Sequence, residues 1–233
     1  MEPGDYTQRP SALGGGTVVW ARAAADQPGS ALVLPDGCMD LIWHDGLLLV
    51  AGPDSRAQAG AERPGDRWTG LRFAPGTGPA VLGVPAHELR DQRVPLDALW
   101  PGARVRRLTE YVAGAADRGA ALEAVAASVG AVPDPLARAV AAALDAGRTV
   151  ADVARAAHLS PRQLHRRSLD AFGYGPKTLA RVLRLQRALA SAYAGRALAD
   201  VAVHAGYADQ AHLSREVRAL AGVPLTRLPR PTG

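Results

Sequence analysis

Two clusters of mostly polar side chains in the last third of the chain have types and spacing suited to reading base edges in duplex DNA. Each cluster lies just after a residue that can cap a helix, so its members fall on the exposed face of that helix. The members are Arg162, His165 and Arg166 in the first cluster, and Gln210, Ala211, His212 and Arg215 in the second. Arginine can contact guanine and glutamine can contact adenine in a bidentate manner, so the expected chemistry is sequence-specific hydrogen bonding in the major groove.

A repeated pattern positions these two clusters. It starts at Val150 and again at Leu198, and each copy begins with an apolar residue followed by Ala-Asp-Val-Ala. Each copy then passes a sharp turn, opens a second helix at Ser160 or Asp209, and ends in Gly followed closely by Pro. This order of features is typical of a helix-turn-helix, in which the second helix enters the major groove.

The segment between the two copies predicts one amphipathic helix of about 18 residues that begins near Lys177. Such a helix is roughly 27 Å long at about 1.5 Å per residue. That length suits two recognition helices placed about one turn of DNA apart, roughly 34 Å. The turns of the two copies differ, and Gly206 is expected to permit the conformation that His158 adopts in the first copy.

Charge is distributed unevenly along the chain. From residue 148 onward there are 14 Arg or Lys and 5 Asp or Glu, whereas residues 1–147 hold 13 basic and 17 acidic residues. A basic C-terminal third beside an acidic remainder predicts two domains, one of which faces a polyanion. The high arginine content alone is explained by codon bias in a GC-rich genome and is not evidence of DNA binding.

The first half of the chain has the pattern of a small all-β domain. Short apolar or alternating runs are separated by Pro-Asp-Gly, Asp-Gly and Gly-Pro turn signals, and His44-Asp45-Gly46 is predicted to form a hairpin tip. The strand pattern is expected to continue through Ala80-VLGVP, and residues 55–66 are expected to be a mobile loop. Such strands favour a small barrel or sandwich, and a small barrel can enclose one ligand or be packed solid.

Three helices are predicted after Pro95, the first over residues 103–116 and the next two ended by Gly130 and Gly147. They can bridge the domains, pair with a second subunit, or pack beneath the barrel. The predicted fold class is therefore α+β, with a small β-barrel, connecting helices and an all-α tandem helix-turn-helix domain. The predicted boundaries are residues 1–96, 97–147 and 148–233.

Residues 148–228 resemble the DNA-binding domain of the AraC/XylS family of bacterial transcription regulators. The second copy, Val201-AVHAGYADQAHLSREVRALAGVPL, carries the resemblance most specifically. The chain departs from the family pattern at Leu213 and Val217, where aromatic residues are common, and at Ser168, where an apolar residue is common. This similarity implies base-reading positions at Arg162, His165, Arg166, Gln210, Ala211 and Arg215.

The N-terminal half is similar to the sensor domains of one AraC-type subfamily. The matching segments are Leu34-PDGCMDLIW, Val50-AGPDSRA and Gly70-LRFAPGTGPAVLGVPAHEL. This resemblance implies a cupin-like barrel without an assigned effector.

No catalytic constellation or metal-ligand pattern is recognisable, so neither an enzyme, a cofactor nor a metal is expected. Candidate ligand-pocket residues in the barrel are Cys38, Trp43 and Trp68.

The sequence leaves two functions from different classes open. The first is a DNA-binding transcription regulator whose barrel binds a small effector or mediates self-association. The alternative is a covalent or redox sensor that uses Cys38 and is coupled to the DNA-binding domain.

The partners expected are double-stranded DNA, a small-molecule effector, RNA polymerase if the protein is an activator, and a second copy in a homodimer. A single cysteine, no secretory signal and no long apolar run favour the cytoplasm and no membrane partner. The residue pattern leaves open the effector, the operator sequence, and the choice between activation and repression.

Overall fold

The computed structural model describes residues 5–26 and 29–228 of the chain. Eight strands fill the N-terminal part: β1 (Tyr6–Pro10), β2 (Val18–Ala23), β3 (Gly29–Val33), β4 (Met39–His44), β5 (Leu47–Ala51), β6 (Gln58–Glu62), β7 (Arg67–Phe73) and β8 (Arg93–Pro95). Six of them form one antiparallel sheet in the order β1-β2-β7-β4-β5-β8, and β3 pairs with β6 in a separate antiparallel ribbon.

The first helix lies between β7 and β8, and the other helices follow the last strand. The helices are α1 (Gly78–Leu82), α2 (Gly102–Gly114), α3 (Arg118–Ala127), α4 (Pro135–Asp145), α5 (Val150–Ala156), α6 (Pro161–Phe172), α7 (Pro176–Tyr193), α8 (Leu198–Ala205) and α9 (Gln210–Ala221). The predicted fold class is confirmed in this order of a strand-rich part and a helical part. Among the described residues the large sheet has two edges, β1 and β8, so its hydrogen bonding does not close into a ring.

The predicted hairpin at His44-Asp45-Gly46 is confirmed. His44 pairs with Leu47, and the two turn residues between them have φ of 47° at Asp45 and 77° at Gly46. Both angles lie in the left-handed region that a two-residue turn of this kind requires, and Asp and Gly tolerate it best.

Two local expectations were wrong. Residues 55–66 contain β6, which gains a partner in β3 and whose Glu62 accepts hydrogen bonds from Arg22 on β2. The run Ala80-VLGVP is not a strand, because α1 starts at Gly78-Pro79 and ends at Gly83 in a left-handed conformation. A five-residue helix is too short to show helical periodicity in the sequence.

The sheet and the first connecting helices share one core. Buried side chains of the large sheet, among them Leu41, Leu71 and Phe73, pack with Val112 of α2 and Leu122 of α3. These two helices therefore cover one face of the sheet. Of the three arrangements predicted for the connecting helices, this is the one in which they pack beneath the strands.

The helical part has two further cores that are joined by α7. The first core contains buried residues of α4, α5 and α6 together with Leu179, Val182 and Leu183 of α7. The second contains residues of α8 and α9 with Leu185, Ala188 and Leu189 of α7. One continuous helix thus contributes its first half to one module and its second half to the other. Helix α4 packs with the first module rather than with the sheet.

Candidate DNA-binding surface

The first helix-turn-helix consists of α5 and α6. Thr149 caps α5, and Ser160 caps α6 in a reciprocal capping box with Gln163. These caps satisfy backbone N–H groups that a helix start leaves without partners, so the entry of α6 is fixed by local chemistry. Leu164 and Phe172 anchor α6 in the core, which leaves the opposite face of the helix in solvent.

The second helix-turn-helix consists of α8 and α9. Gly206 has a φ of 83° at the turn, and His158 has a φ of 53° at the corresponding turn of the first module. The equivalence predicted for these two residues is therefore confirmed. Tyr207 is buried beneath the turn, and Asp209 caps α9 by accepting a hydrogen bond from the His212 backbone N–H at 2.6 Å.

Most of the predicted base-reading residues lie in solvent on the starts of α6 and α9. The exposed ones are Arg162, His165, Arg166, Gln210, Ala211 and Arg215. No ion pair to the three arginines is found among the described residues. Their guanidinium groups are therefore available to an outside partner.

His212 has a different position. Its ring is half-buried and meets the Tyr207 ring edge-on, with 5.3 Å between the centroids, and its Nδ1 accepts a hydrogen bond from the Ala208 backbone N–H at 3.3 Å. This side chain helps to close the turn that precedes α9.

An arginine network that was missed in the sequence ties α9 to α7. Arg181 makes a bidentate ion pair with Glu216, at 3.0 Å from Nε to Oε2 and 3.1 Å from Nη2 to Oε1. Arg184 lies 3.7 Å from the same carboxylate and stacks over the Tyr207 ring at 4.7 Å. Burial alone raises the pKa of Glu216, but the hydrogen bonds from Arg181 and the two positive charges outweigh it and leave that pKa lowered.

The sequence contained a weak signal for this network. Arg181, Arg184 and Arg187 recur every three residues on α7, so they share one side of the helix. Arg187 donates to the backbone oxygen and carboxylate of Asp145 at the end of α4. These arginines therefore orient helices within the domain.

The sheet part contacts both helix-turn-helix modules directly. The Gln186 side chain on α7 donates to the Pro35 carbonyl at 2.6 Å, and the Ala57 N–H donates to the Leu220 carbonyl of α9 at 2.7 Å. Leu32 and Leu34 pack against the core of the second module.

Glycines allow the closest approach between the two parts. A Cβ at Gly173, where φ is +81°, would lie 2.5 Å from the Pro53 side chain. A Cβ at Gly37 would lie 3.2 Å from Leu179 and 3.6 Å from the hydroxyl of Tyr174, which is buried and has no hydrogen-bond partner among the residues that the structure describes. The interface is tightly packed at these points.

The candidate pocket residues Cys38, Trp43 and Trp68 lie in different surroundings. Trp43 is buried in the sheet core, while Trp68 stacks on the His44 ring with centroids 4.6 Å apart. Burial first, and then the charge of Asp36, raise the pKa of the Cys38 thiol well above its usual value. A raised pKa keeps the thiol protonated and weakly nucleophilic.

A cavity of about 650 Å³ lies elsewhere, between β1, β2 and β7 on one side and the junction of α2 and α3 on the other. None of the three candidate pocket residues lines it. The residues that do are Thr7, Gln8, Arg9, Val19, Trp20, Ala21, Thr69, Ala115, Ala116, Asp117, Arg118 and Gly119.

Within residues 5–26 and 29–228, no three or more His, Cys, Asp or Glu side chains lie close enough together to hold a metal ion. None of the helices in that part of the chain is long and apolar enough to cross a membrane.

Comparison with known proteins supports this description of the two parts. A family described as a helix-turn-helix domain matches residues 136–230, and a domain family of unknown function (DUF6597) matches residues 17–95. No curated protein sequence matches the chain.

Two similar solved structures are both of ToxT from Vibrio cholerae. An apo variant from strain SCE256 aligns with a TM-score of 0.51 and 10% identity, over 95% of this chain and 100% of that chain. The P21 crystal form aligns with a TM-score of 0.50 and 9% identity, over 98% and 99% of the two chains. At this identity the likeness establishes the fold, with a strand-rich part followed by a helical part.

Proposed function

We infer that this protein, whose C-terminal part is an AraC-type tandem helix-turn-helix domain, is a sequence-specific transcription regulator that reads two half-sites on duplex DNA. The observation that carries the inference is the pair of exposed recognition-helix starts held by one helix, α7. Their arginines have no carboxylate partners among the described residues. The excess of basic residues from residue 148 onward supplies the attraction to phosphate.

We assign the contacts to bases to the seven residues predicted from the sequence, which differ in how directly each can reach a base. Arg162, Arg166 and Arg215 can reach guanine, and Gln210 can reach adenine. His212 serves mainly to shape the turn, since its ring already contacts Tyr207 and Ala208. Helix α4 belongs with the DNA-binding domain, because its apolar face packs against α7 in the first core.

The sheet part is proposed to be a ligand-binding sensor domain. Two observations support this role: the cavity of about 650 Å³ and the direct contacts from the sheet part to α7 and α9. A ligand that changes the position of these contacts would change DNA affinity, and DNA would change the ligand's affinity by the same factor. RNA polymerase and a second copy of the chain stay predicted partners.

The alternative of a redox or covalent sensor at Cys38 has less support. Cys38 is half-buried, and the pKa of its thiol is raised by desolvation and by the charge of Asp36, whereas a reactive cysteine needs a stabilised thiolate.

Selection of bound sequences from a random duplex library tests the DNA-reading proposal. Arg166→Ala should relax base preference in one half-site and Arg215→Ala in the other, each at a cost of about 1–3 kcal/mol against the preferred base. The halves should lie about 10 base pairs apart. Arg107→Ala, which removes an exposed arginine on α2, is the matched control and should leave the selected sequence unchanged. Equal weakening on all sequences by the first two variants would mean that these arginines contact phosphate instead.

A further inference from the structure

We propose that the cavity between the sheet and the α2–α3 junction binds a small amphipathic anion, with an acidic group at Arg118 and an apolar body over the strands. The inference deepens the proposed sensor role and rests on it for its regulatory meaning. The volume of about 650 Å³ falls within the range of roughly 300–1,000 Å³ typical of small-molecule sites.

Small side chains on the strands create the space. Thr7, Ala21 and Thr69 lie side by side in register on β1, β2 and β7. At the other end of the cavity, Gly119 fits so closely against Val19 that a Cβ would lie 2.5 Å from its methyl group. Helix α3 therefore packs tightly at Gly119 and leaves an opening beside the small residues.

The two arginines that line the cavity differ in whether they form ion pairs. Arg9 is held by Glu123 at 2.9 Å and lies 3.7 Å from Asp117, so its charge is already neutralised by carboxylates. Arg118 is exposed, lies 5.8 Å from the Trp43 ring centre, and has no ion pair in the part of the chain that the structure describes. Asp117 also lines the cavity but is paired with Arg9, so the Arg118 guanidinium is the group that can receive an anion.

The remaining lining suits an apolar body with a few polar atoms. Val19, Ala21, Ala115 and Ala116 supply apolar contact, and the hydroxyl groups of the lining threonines can accept or donate hydrogen bonds. This combination fits an aromatic or aliphatic acid better than a sugar, which needs a larger number of fixed polar partners.

The face of β2 that points away from the cavity is connected to the DNA-binding domain by a chain of hydrogen bonds and ion pairs. The Trp20 indole N–H donates to buried Asp40 at 2.6 Å, and Arg72 Nε lies 3.2 Å from both Asp40 and Asp36. Asp36 belongs to the turn whose Pro35 carbonyl accepts the hydrogen bond from α7. The Trp20 side chain lies on the face of β2 opposite Val19 and Ala21, so a ligand in the cavity would act on this chain of contacts by displacing the backbone of β2.

A pair of fluorescent probes tests the site in the full-length protein. The anionic probe is 8-anilinonaphthalene-1-sulfonate, and N-phenyl-1-naphthylamine is the same ring system without the sulfonate. We expect saturable binding of the sulfonate at one site, weakened about tenfold by Arg118→Gln, with the uncharged probe changed less than about twofold by that variant. Ala116→Trp, which fills the cavity from an exposed loop position, should abolish binding of both probes. Arg107→Gln is the control for loss of a positive charge elsewhere.

The results separate this proposal from the proposed function. Sulfonate binding that survives Ala116→Trp would overturn the site. Equal weakening of that binding by Arg118→Gln and Arg107→Gln would overturn the role of Arg118 in anion preference. Equal binding of both probes to the unaltered protein, with no effect of Arg118→Gln, would overturn the anion class. Because the probe titrations contain no DNA, a protein that fails to bind DNA would refute the regulator assignment alone.

Discussion

The ion pair between Arg9 and Glu123 fastens the edge strand β1 to helix α3, across 114 residues of sequence. Two hydrogen bonds join the groups, at 2.9 Å and 3.1 Å, and the Ala12 backbone N–H donates to the same carboxylate at 2.7 Å. Glu123 is buried, and replacing it by Gln should loosen β1 from α3 and so widen the proposed ligand cavity.

The magnitude follows from the pKa of Glu123. The hydrogen bond from Arg9 is the main cause that lowers this pKa from 4.5 to about 2. A shift of that size corresponds to about 3 kcal/mol of stabilisation in full. Because the Arg9 side chain is 44% exposed, solvent screening reduces the expected contribution to about 1–2 kcal/mol.

The sign of the pH dependence is fixed by the lowered pKa. The stabilisation is fully present above pH 4.5, where the carboxylate is charged in both states, and is lost as the pH falls from 4.5 toward 2. Glu123→Gln should therefore lower the free energy of unfolding by about 1–2 kcal/mol at pH 7 and by progressively less below pH 4.5.

Urea unfolding of both proteins between pH 2.5 and 7 measures this difference. Glu110→Gln, on the exposed side of α2, is the control and should show almost no difference at any pH. A Glu123→Gln deficit that stays constant across this range would refute the electrostatic reasoning and attribute the loss to packing of the amide.

Three further outcomes are expected. A fragment of residues 131–233, which includes α4, should bind duplex DNA, and its affinity should fall steeply as the salt concentration rises. A fragment of residues 1–130 should not bind DNA. Electrophoretic mobility shifts would measure both results. Glu216→Gln should weaken binding at the half-site of α9 without altering the other half-site, because it removes the ion pair by which Arg181 orients α9 against α7. Base-substituted duplexes in the same mobility-shift assay would check this. Gly173→Ala should lower the free energy of unfolding by more than about 1 kcal/mol, since φ is +81° and the new Cβ would contact Pro53; urea unfolding would measure the change.

The helix-turn-helix modules could be predicted closely because local residues determine them. Ser160, Pro161 and Gln163 specify the start of α6 within four residues, and Asp209 does the same for α9. Buried Leu164 and Leu213 then decide which face of each helix is left in solvent. Signals of this kind depend on neighbours in the sequence, so a single sequence is enough to recognise them.

The parts that could not be predicted depend on distant contacts. The polar segment around Gln58–Glu62 becomes a strand only because β3 and Arg22 lie beside it. Ser168 and Phe172 are both buried in α6, and within residues 5–26 and 29–228 the Ser168 hydroxyl has no hydrogen-bond partner. Gly173 packs against Pro53, which is 120 positions away in the sequence, and no local sequence pattern predicts this contact.

The position of α7 limits how a ligand in the sheet part can act on DNA binding. Since the two halves of this 18-residue helix belong to the two helix-turn-helix cores, the distance between the recognition helices is set within the DNA-binding domain itself. The turn at Pro35–Gly37 contacts α7, and Ala57 contacts the end of α9, so a shift of the sheet part acts on α7 and the second module together. We therefore expect regulation to change how both modules are presented to DNA while the half-site spacing stays the same, because altering that spacing would require bending α7 and breaking the Arg181–Glu216 pair.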